Sequence, residues 1–412
     1  MNPHRFLEAL NGVASKLLII QLSVAGCALL ANVLSARTLG PEARGELGLF
    51  MQIAYVANAA CILGRHISYL KLEGKPSPSI GKSFRDVRTL SKLPLILSLI
   101  IALIIGFAIG EGLSLSLLFA LGFFALIYSG VQQKMIRAGA IVSKDATPYF
   151  WSSIAGQVLL LLCIGMLSIM KNAFLPLWLL AYGASVVFPY VLLSLVLKQE
   201  PNSKADGEEL GAVKRFGYRL VPLSVAEVVG SRIDRFLIPL LADFAQLGIY
   251  TVVVTMTELI AWPIKNYVDS KVPQWNKNIT DGTINIFREL TKVSVPILLM
   301  SVLIGVSLEI VLVPLFGTEF ASGKELIWPL VLAAALHAWS HFGTNISLAA
   351  GFEGLANSIP IVAMVFSGVS YLLLIPIFGA FGASWGLVIG YFAACLMSTV
   401  AFFRIAYSKK VF

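Results

Sequence analysis

The stretch Leu93–Gly110 has the sequence LPLILSLIIALIIGFAIG and contains no charged side chain. At about 1.5 Å per residue, a helix over this stretch is about 27 Å long, close to the roughly 30 Å hydrocarbon core of a bilayer. The sequence therefore predicts a membrane-spanning helix here, flanked by further apolar segments of similar length. These lie near 12–36, 46–64, 113–133, 148–170, 173–197, 217–241, 243–267, 290–315, 325–350, 356–378 and 381–406.

The composition indicates a bilayer environment for the whole chain. Of the 412 residues, 58% are hydrophobic and 13% are charged, and the mean hydropathy is +0.84. In soluble domains, about 45–50% of residues are apolar and about 25% are charged. Such domains cannot bury as much apolar surface as this chain carries. A soluble enzyme, a disordered chain and a fibrous protein are therefore excluded. The alternating pattern of barrel strands is absent, so we expect helical spans.

The predicted fold class is an all-α polytopic membrane protein. We expect about twelve transmembrane helices in two six-helix bundles around a central cavity. The predicted domains are an N-terminal bundle over 1–197, a cytoplasmic linker over 198–216 and a C-terminal bundle over 217–412. The first segment is predicted to be a span and not a cleaved signal peptide, because it is long and contains Gln21.

The distribution of positive charge predicts the orientation. With the N-terminus inside, 25 of the 31 lysines and arginines fall on the cytoplasmic side and four on the other, while Arg232 and Arg235 lie within span seven. This bias predicts a multi-pass protein with both termini in the cytoplasm. It also accounts for the net charge of +9 without a nucleic-acid partner. The outer loops are too short to hold a domain.

No sequence motif for catalysis or cofactor binding is present. The chain lacks the GxxxxGK[ST], GxSxG and HExxH patterns, so we expect neither an enzyme nor a cofactor. His337 and His341 are four residues apart, but no acidic or cysteine ligand accompanies them, and we expect no metal site. The four cysteines all lie in apolar runs, where they are expected to be buried and unpaired.

Span seven carries the densest set of ionisable residues. A charged side chain within a span is costly and normally faces a cavity or a partner. On one continuous helix, Glu227, Asp234 and Arg235 would share a side about 100° wide, with Arg232 just outside it. A cavity wall and a set of ion pairs between helices are both open interpretations. Glu227 and Asp234 are candidates for ion coupling or charge pairing, and the two arginines for substrate binding.

Other spans contribute further candidates. Glu258 and Lys265 lie two turns apart on one face of span eight, where Glu258 is a coupling or pairing candidate and Lys265 a cavity residue or a snorkelling side chain. Gln21 and Asn32 lie on one side of span one and suit either sugar hydroxyls or hydrogen bonds between helices. Arg37 suits either a lipid diphosphate or an anchor at the membrane interface.

Four motifs in register resemble one known family. They are ARTLGPEARGE at 36–46, DRFLI at 234–238 followed by LGIY at 247–250, PLFGTEF at 314–320 and FGASWG at 381–386. Together they resemble the bacterial polysaccharide repeat-unit flippases, the O-antigen and exopolysaccharide translocases. The resemblance covers the whole chain, although the second-half turn lacks the usual Gly-Pro before Gly248.

The resemblance implies a function at the bacterial inner membrane. The implied fold is related to multidrug antiporters and to the peptidoglycan-precursor flippase. The implied substrate is an undecaprenyl-diphosphate-linked oligosaccharide, moved by alternating access from the cytoplasmic to the outer leaflet. Membrane lipids, a polymerase and a chain-length regulator are the implied partners. Two alternatives stay open, namely a cation-coupled multidrug exporter of the same fold and a membrane-embedded glycan polymerase or ligase.

Overall fold

The computed structural model describes residues 13–70, 79–196, 204–230, 232–281 and 283–409. In the first part of the chain, the helices are α1 (Val13–Cys61), α2 (Arg65–Leu70), α3 (Ile80–Ile109), α4 (Leu113–Val142), α5 (Thr147–Ile169), α6 (Leu175–Val196) and α7 (Lys204–Gly230). They are followed by α8 (Asp234–Leu241), α9 (Phe244–Thr280), α10 (Ile286–Phe316), a 3₁₀ turn (Thr318–Gly323), α11 (Lys324–Ala349) and α12 (Glu353–Lys409).

Within the described residues, eight helices are long and apolar enough to cross a membrane, and the shorter helix Leu175–Val191 is also apolar. Large apolar side chains stand exposed along them, for example Ile104, Leu162 and Leu303. Exposed apolar surface of this extent is stable only in contact with lipid or another protein. The predicted all-helical membrane protein is thus confirmed.

Two of the long helices are each interrupted at a glycine. Gly40 in α1 has φ 69° and Gly379 in α12 has φ 56°, a region that favours glycine because other residues are strained there. The two parts of α12 fold back on each other, since a Cβ on Gly386 would meet the Tyr371 ring and one on Gly390 would meet Ser367. Predicted spans one and two lie in α1, and predicted spans eleven and twelve lie in α12.

Side-chain caps mark where several helices begin. Ser79 accepts a 3.1 Å hydrogen bond from the Lys82 amide at the start of α3. Asp243 and Asn285 accept bonds of 2.7 and 2.9 Å from backbone amides at the starts of α9 and α10. Each cap satisfies an amide that has no partner inside its own helix.

The chain forms two compact units. The first contains the described residues up to Leu39 and from Leu49 to Gly230, and the second contains Gly40–Gly48 and the residues from Arg232 onward. Helix α7 is one continuous helix that packs on α2 and α3 of the first unit, where Ser68 Oγ donates a 2.7 Å hydrogen bond to the Val213 carbonyl. The chain therefore leaves the first unit after Gly230, and the domain boundaries at 198–216 stay a prediction.

Predicted span seven is not one continuous helix. Helix α7 ends at Gly230, Arg232 and Ile233 form a turn, and α8 begins at Asp234. The expectation that Glu227, Asp234 and Arg235 share one helical face assumed one continuous helix, and that assumption does not hold. Predicted span eight is also longer than expected, since α9 continues to Thr280.

Candidate functional site

Asp234 and Arg235 lie in the first turn of α8, directly after the interruption of span seven. Both side chains are buried, at 3% and 4% exposure. The amides of Arg235 and Leu237 donate to the carbonyls of Arg232 and Ile233, so the turn leads directly into the helix. Non-helical backbone at membrane depth is tolerated where protein groups satisfy it, and such breaks often accompany transport sites.

Tyr250 holds the Asp234 carboxylate. Its hydroxyl donates a 2.6 Å hydrogen bond to Asp234 Oδ2, and the tyrosine is fully buried. Tyr371 is also buried and lies close enough to Asp234 for electrostatic interaction. Charge-assisted hydrogen bonds of this kind are shorter and stronger than neutral ones. The carboxylate on α8 is therefore held by a hydrogen bond from α9, and a tyrosine of α12 lies nearby.

Arg235 forms an ion pair with Glu258 of α9. The Arg235 side chain is 5% exposed, whereas that of Glu258 is 49% exposed, so the carboxylate lies at the surface of the second unit. Arg232 and Lys265 also interact electrostatically with Glu258. Among the described residues, Arg235 Nε has no hydrogen-bond partner although it is buried. The guanidinium thus has donor capacity that its carboxylate partner does not use.

Polar and aromatic groups continue along α9, α11 and α12. The His337 ring stacks on Tyr391 with a centroid distance of 4.3 Å and an interplanar angle of 11°. His341 Nε2 lies 2.8 Å from Asp269 Oδ1. No group of three or more histidine, cysteine or acidic residues that could hold a metal ion occurs in the described part of the chain.

The structure brings five of the predicted site residues together in the second unit. The members are Arg232, Asp234, Arg235, Glu258 and Lys265, which we call the α8–α9 charge cluster. Three of its members are cations and two are carboxylates. The side chain of Glu227 lies outside the described ones.

The remaining candidates lie on α1 in the first unit. Gln21 is partly buried, Asn32 is buried and Arg37 is exposed near the Gly40 interruption. Gln21 and Asn32 are eleven residues apart, or about 16 Å along a helix, so they do not form one compact site. The Asn32 backbone carbonyl accepts a 3.0 Å hydrogen bond from Ser35 Oγ.

Tyr250, Tyr371 and Tyr391 were not predicted as site residues. Tyrosine is common in membrane spans and carries no charge. It therefore lacks the high free-energy cost of burial in a bilayer that makes an arginine stand out. One signal for Tyr250 was available in the sequence. It is the last residue of the LGIY motif at 247–250 and lies only sixteen positions after Asp234. Tyr371 and Tyr391 come from helix α12, whose position relative to α8 no sequence spacing gives.

The fold of the chain is similar to that of solved transporters, one of them described as a member of the MOP superfamily. The chain is similar to a multidrug resistance MATE family transporter in an inward-facing conformation (TM-score 0.66, 15% identity, 97% of this chain and 99% of that chain). It is also similar to the lipid II flippase MurJ in an inward closed conformation (TM-score 0.64, 11% identity, 95% and 90%). A third similar structure is the Vibrio cholerae MATE transporter VcmN (TM-score 0.52, 13% identity, 97% and 98%). The sequence matches no protein-family model and no curated protein.

Proposed function

We propose that this protein flips an undecaprenyl-diphosphate-linked oligosaccharide from the cytoplasmic to the outer leaflet by alternating access. The observation that carries the proposal is the arrangement of three cations around the half-exposed carboxylate of Glu258 in the α8–α9 charge cluster. Arg232, Arg235 and Lys265 all act on Glu258, while Asp234 is held by Tyr250. Cationic groups within a span attract an anionic group that has to cross the membrane, and guanidinium donors suit phosphate oxygens.

Arginine suits this role better than lysine does. The planar guanidinium binds phosphate oxygens with two parallel N–H donors and keeps its charge when buried. Arg235 has one ion-pair partner and a buried Nε donor without one among the described residues. The half-exposed Glu258 marks the side from which a ligand approaches the guanidinium.

The arrangement of helices supports the twelve-span topology. Two of the eight long apolar helices, α1 and α12, each contain two segments, so the eight helices supply ten spans. Helix α6 and the α7–α8 pair supply two more. Twelve spans place both termini on one side, in agreement with the 25:4 division of basic residues. We propose the bacterial inner membrane as the location, with both termini in the cytoplasm.

The fold likeness to the lipid II flippase MurJ supports transport of a lipid-linked substrate by this architecture. The likeness to MATE transporters supports a second candidate, a cation-coupled multidrug exporter. The carboxylates of Asp234 and Glu258 favour that candidate as groups able to bind a coupling cation. Arg232, Arg235 and Lys265 disfavour it for cationic drugs, because like charges repel.

Reconstitution into liposomes separates the two candidates. The purified chain is incorporated with a fluorescent undecaprenyl-diphosphate-linked oligosaccharide, and access of a membrane-impermeant quencher to the label measures flipping. Parallel vesicles measure uptake of a cationic dye under sodium and proton gradients. We expect accelerated flipping and no gradient-driven dye transport. Dye transport without flipping would establish the exporter and reject the flippase.

A further inference from the structure

Two short rows of polar side chains face each other on α9 and α11 of the second unit. Lys265 and Asp269 are four residues apart on α9, and His337 and His341 are four residues apart on α11, so each pair shares one helical face. His341 Nε2 lies 2.8 Å from Asp269 Oδ1. Lys265 interacts electrostatically with both histidines. The two rows therefore act on each other.

The Nε2 atom of His341 has two polar neighbours with opposite requirements. An ionised carboxylate only accepts hydrogen bonds, so Asp269 requires a hydrogen on Nε2. Asn345 Nδ2 lies 3.1 Å from the same atom and is a donor, so it requires the Nε2 lone pair. Reversing this amide would place its oxygen against the His341 backbone carbonyl, to which Nδ2 donates a 3.0 Å hydrogen bond. No single state of the ring satisfies both neighbours.

Few other titratable groups face this ring from the neighbouring helices. In the part of the chain that the structure describes, they are Lys265 on α9, His337 on α11 and, stacked on His337, Tyr391 of α12. On α10, Glu289 and Lys292 pair with each other and are not among the charges that act on His341. Asp269 is thus the carboxylate that can favour the imidazolium.

The chemistry of the pair matches a proton as its ligand. The side chain of His341 is 26% exposed and that of Asp269 is 58% exposed, so water reaches both. Within the described ranges, no third histidine, cysteine or acidic residue joins them to complete a metal site. Histidine is also the side chain whose ordinary pKa, about 6.5, lets its charge change near neutral pH.

We infer that His341 is a proton-binding site that switches the contact between α9 and α11. A proton from water adds to the Nε2 lone pair, and the new N–H bond donates to Asp269. When the proton returns to water, the lone pair accepts a hydrogen bond from Asn345, and the remaining ring hydrogen is on Nδ1. No other bond forms or breaks.

The switch reaches the charge cluster through Lys265. When His341 is neutral, the Asp269 carboxylate is available to Lys265, one turn away on α9. When the ring is protonated, it competes for that carboxylate, and Lys265 acts more strongly on Glu258 of the cluster. This link to transport rests on the proposed function, whereas proton binding at His341 does not.

A titration of the histidine rings tests the inference without any transport step. The chain is labelled with ¹⁵N-histidine and placed in lipid nanodiscs, where ring ¹⁵N shifts distinguish the imidazolium from each neutral tautomer. The His341→Gln variant identifies the His341 signal. Between about pH 5 and pH 8, we expect this signal to change from the imidazolium to the neutral ring with its hydrogen on Nδ1.

Two variants should move the midpoint of this titration in opposite directions. Asp269→Asn removes the anion that favours the charged ring, so its midpoint should move to lower pH. Asn345→Leu removes the donor that favours the neutral ring, so its midpoint should move to higher pH. Each shift should be at least about half a pH unit, a threefold change in proton affinity. His66→Gln, in the first unit, is the matched control and should leave the midpoint unchanged.

The flipping assay then tests the link to transport. A pH gradient across the proteoliposomes should change the flipping rate of the unaltered chain at least about threefold, and His341→Gln should remove this dependence. A ring that keeps one tautomer throughout the titration, or equal midpoints in both variants, would overturn the inference. Opposite shifts without gradient dependence would reject the link to transport. Opposite shifts without any flipping would retain the proton site and reject the proposed function.

Discussion

The Tyr250 hydroxyl donates a 2.6 Å hydrogen bond to the Asp234 carboxylate, and both side chains are buried. Tyr250→Phe removes the donor and leaves the carboxylate short of a partner. We expect a loss of about 2 kcal/mol in the free energy of unfolding, the usual value for a hydrogen bond to a charged group. Thermal or denaturant unfolding in nanodiscs measures it.

Asp234→Asn is the companion variant, because it keeps an oxygen acceptor for Tyr250 and removes the charge. A stability close to that of the unaltered protein is expected for this variant. If Asp234→Asn is instead as unstable as Tyr250→Phe, the charge matters more than the hydrogen bond, and the role assigned to the tyrosine is wrong.

At the residue scale, the sequence predicted the charged members of the site but not their neutral partners. Arg235 and Glu258 stand out because an ionised group within a span has a high energetic cost that needs an explanation. Their mutual pairing did not follow from the sequence, since it depends on how α8 packs against α9.

At the element scale, two glycines set how closely α1 and α9 approach. A Cβ on Gly45 would collide with the Phe244 carbonyl, and a Cβ on Gly248 would collide with the Pro41 carbonyl. The contact is reciprocal and joins ARTLGPEARGE at 36–46 to LGIY at 247–250, two of the motifs that carry the family resemblance. The motif resemblance therefore has a packing basis, because small residues let helix backbones approach in membranes.

This contact gives a graded test of helix packing. Gly45→Ala and Gly248→Ala should each lower the free energy of unfolding by about 1–3 kcal/mol, since the methyl group meets backbone that cannot move aside. Gly26→Ala is the matched control on α1, where an added Cβ meets nothing within 4 Å. Near-equal stability of all three variants would contradict the close packing.

The stability of the short helix α2 should depend on pH. Burial, followed by the nearby Lys134 ammonium, lowers the pKa of His66 from 6.5 to about 4. The neutral ring is therefore favoured in the fold, and its contribution is full above pH 6.5 and is lost as the pH falls toward 4.

Hydrogen exchange of the amides in Arg65–Leu70 measures this effect. Protection of α2 should decline between pH 6.5 and 4, after correction for intrinsic exchange rates. His66→Phe should remove the pH dependence because it removes the titrating group. Unchanged protection in the native protein across that range would show that His66 does not titrate as described.

The interruption of span seven could not be predicted from the sequence. Gly230 disfavours helix, but a single glycine within a span usually does not end one. The residues that follow the break, Asp234 and Arg235, have tertiary partners on α9, which hydropathy does not record. By contrast, the long apolar runs of α3, α5 and α10 were predicted well, because lipid contact alone determines their composition.

At the scale of the whole molecule, accessible loop positions test the topology. In a version without its four cysteines, single cysteines at Ala173 and Ser322 should react with an impermeant thiol reagent added outside intact cells. Cysteines at Lys144 and Asp281 should react only after the membrane is opened. All four positions are exposed, so a failure to react is not due to burial. External labelling of Asp281→Cys would break the twelve-span arrangement.

In the proposed mechanism, Arg235 binds the diphosphate and does not only stabilise the fold. The double variant Arg235→Met/Glu258→Met tests it, because removing both partners together leaves neither the buried Arg235 nor its carboxylate partner unpaired. Arg235→Lys keeps the charge but loses the planar fork, so partial flipping is expected. Lys324→Gln removes an exposed cation outside the cluster and serves as the matched control.

The most direct measurement is the initial rate of flipping of the labelled lipid-linked oligosaccharide by the double variant in proteoliposomes. The unfolding midpoint is recorded on the same samples. We predict a folded protein whose flipping rate is at least tenfold below that of the unaltered chain, with the Lys324→Gln rate unchanged. A folded double variant that flips the lipid at the unaltered rate would show that the pair only holds helices together, and would contradict the account.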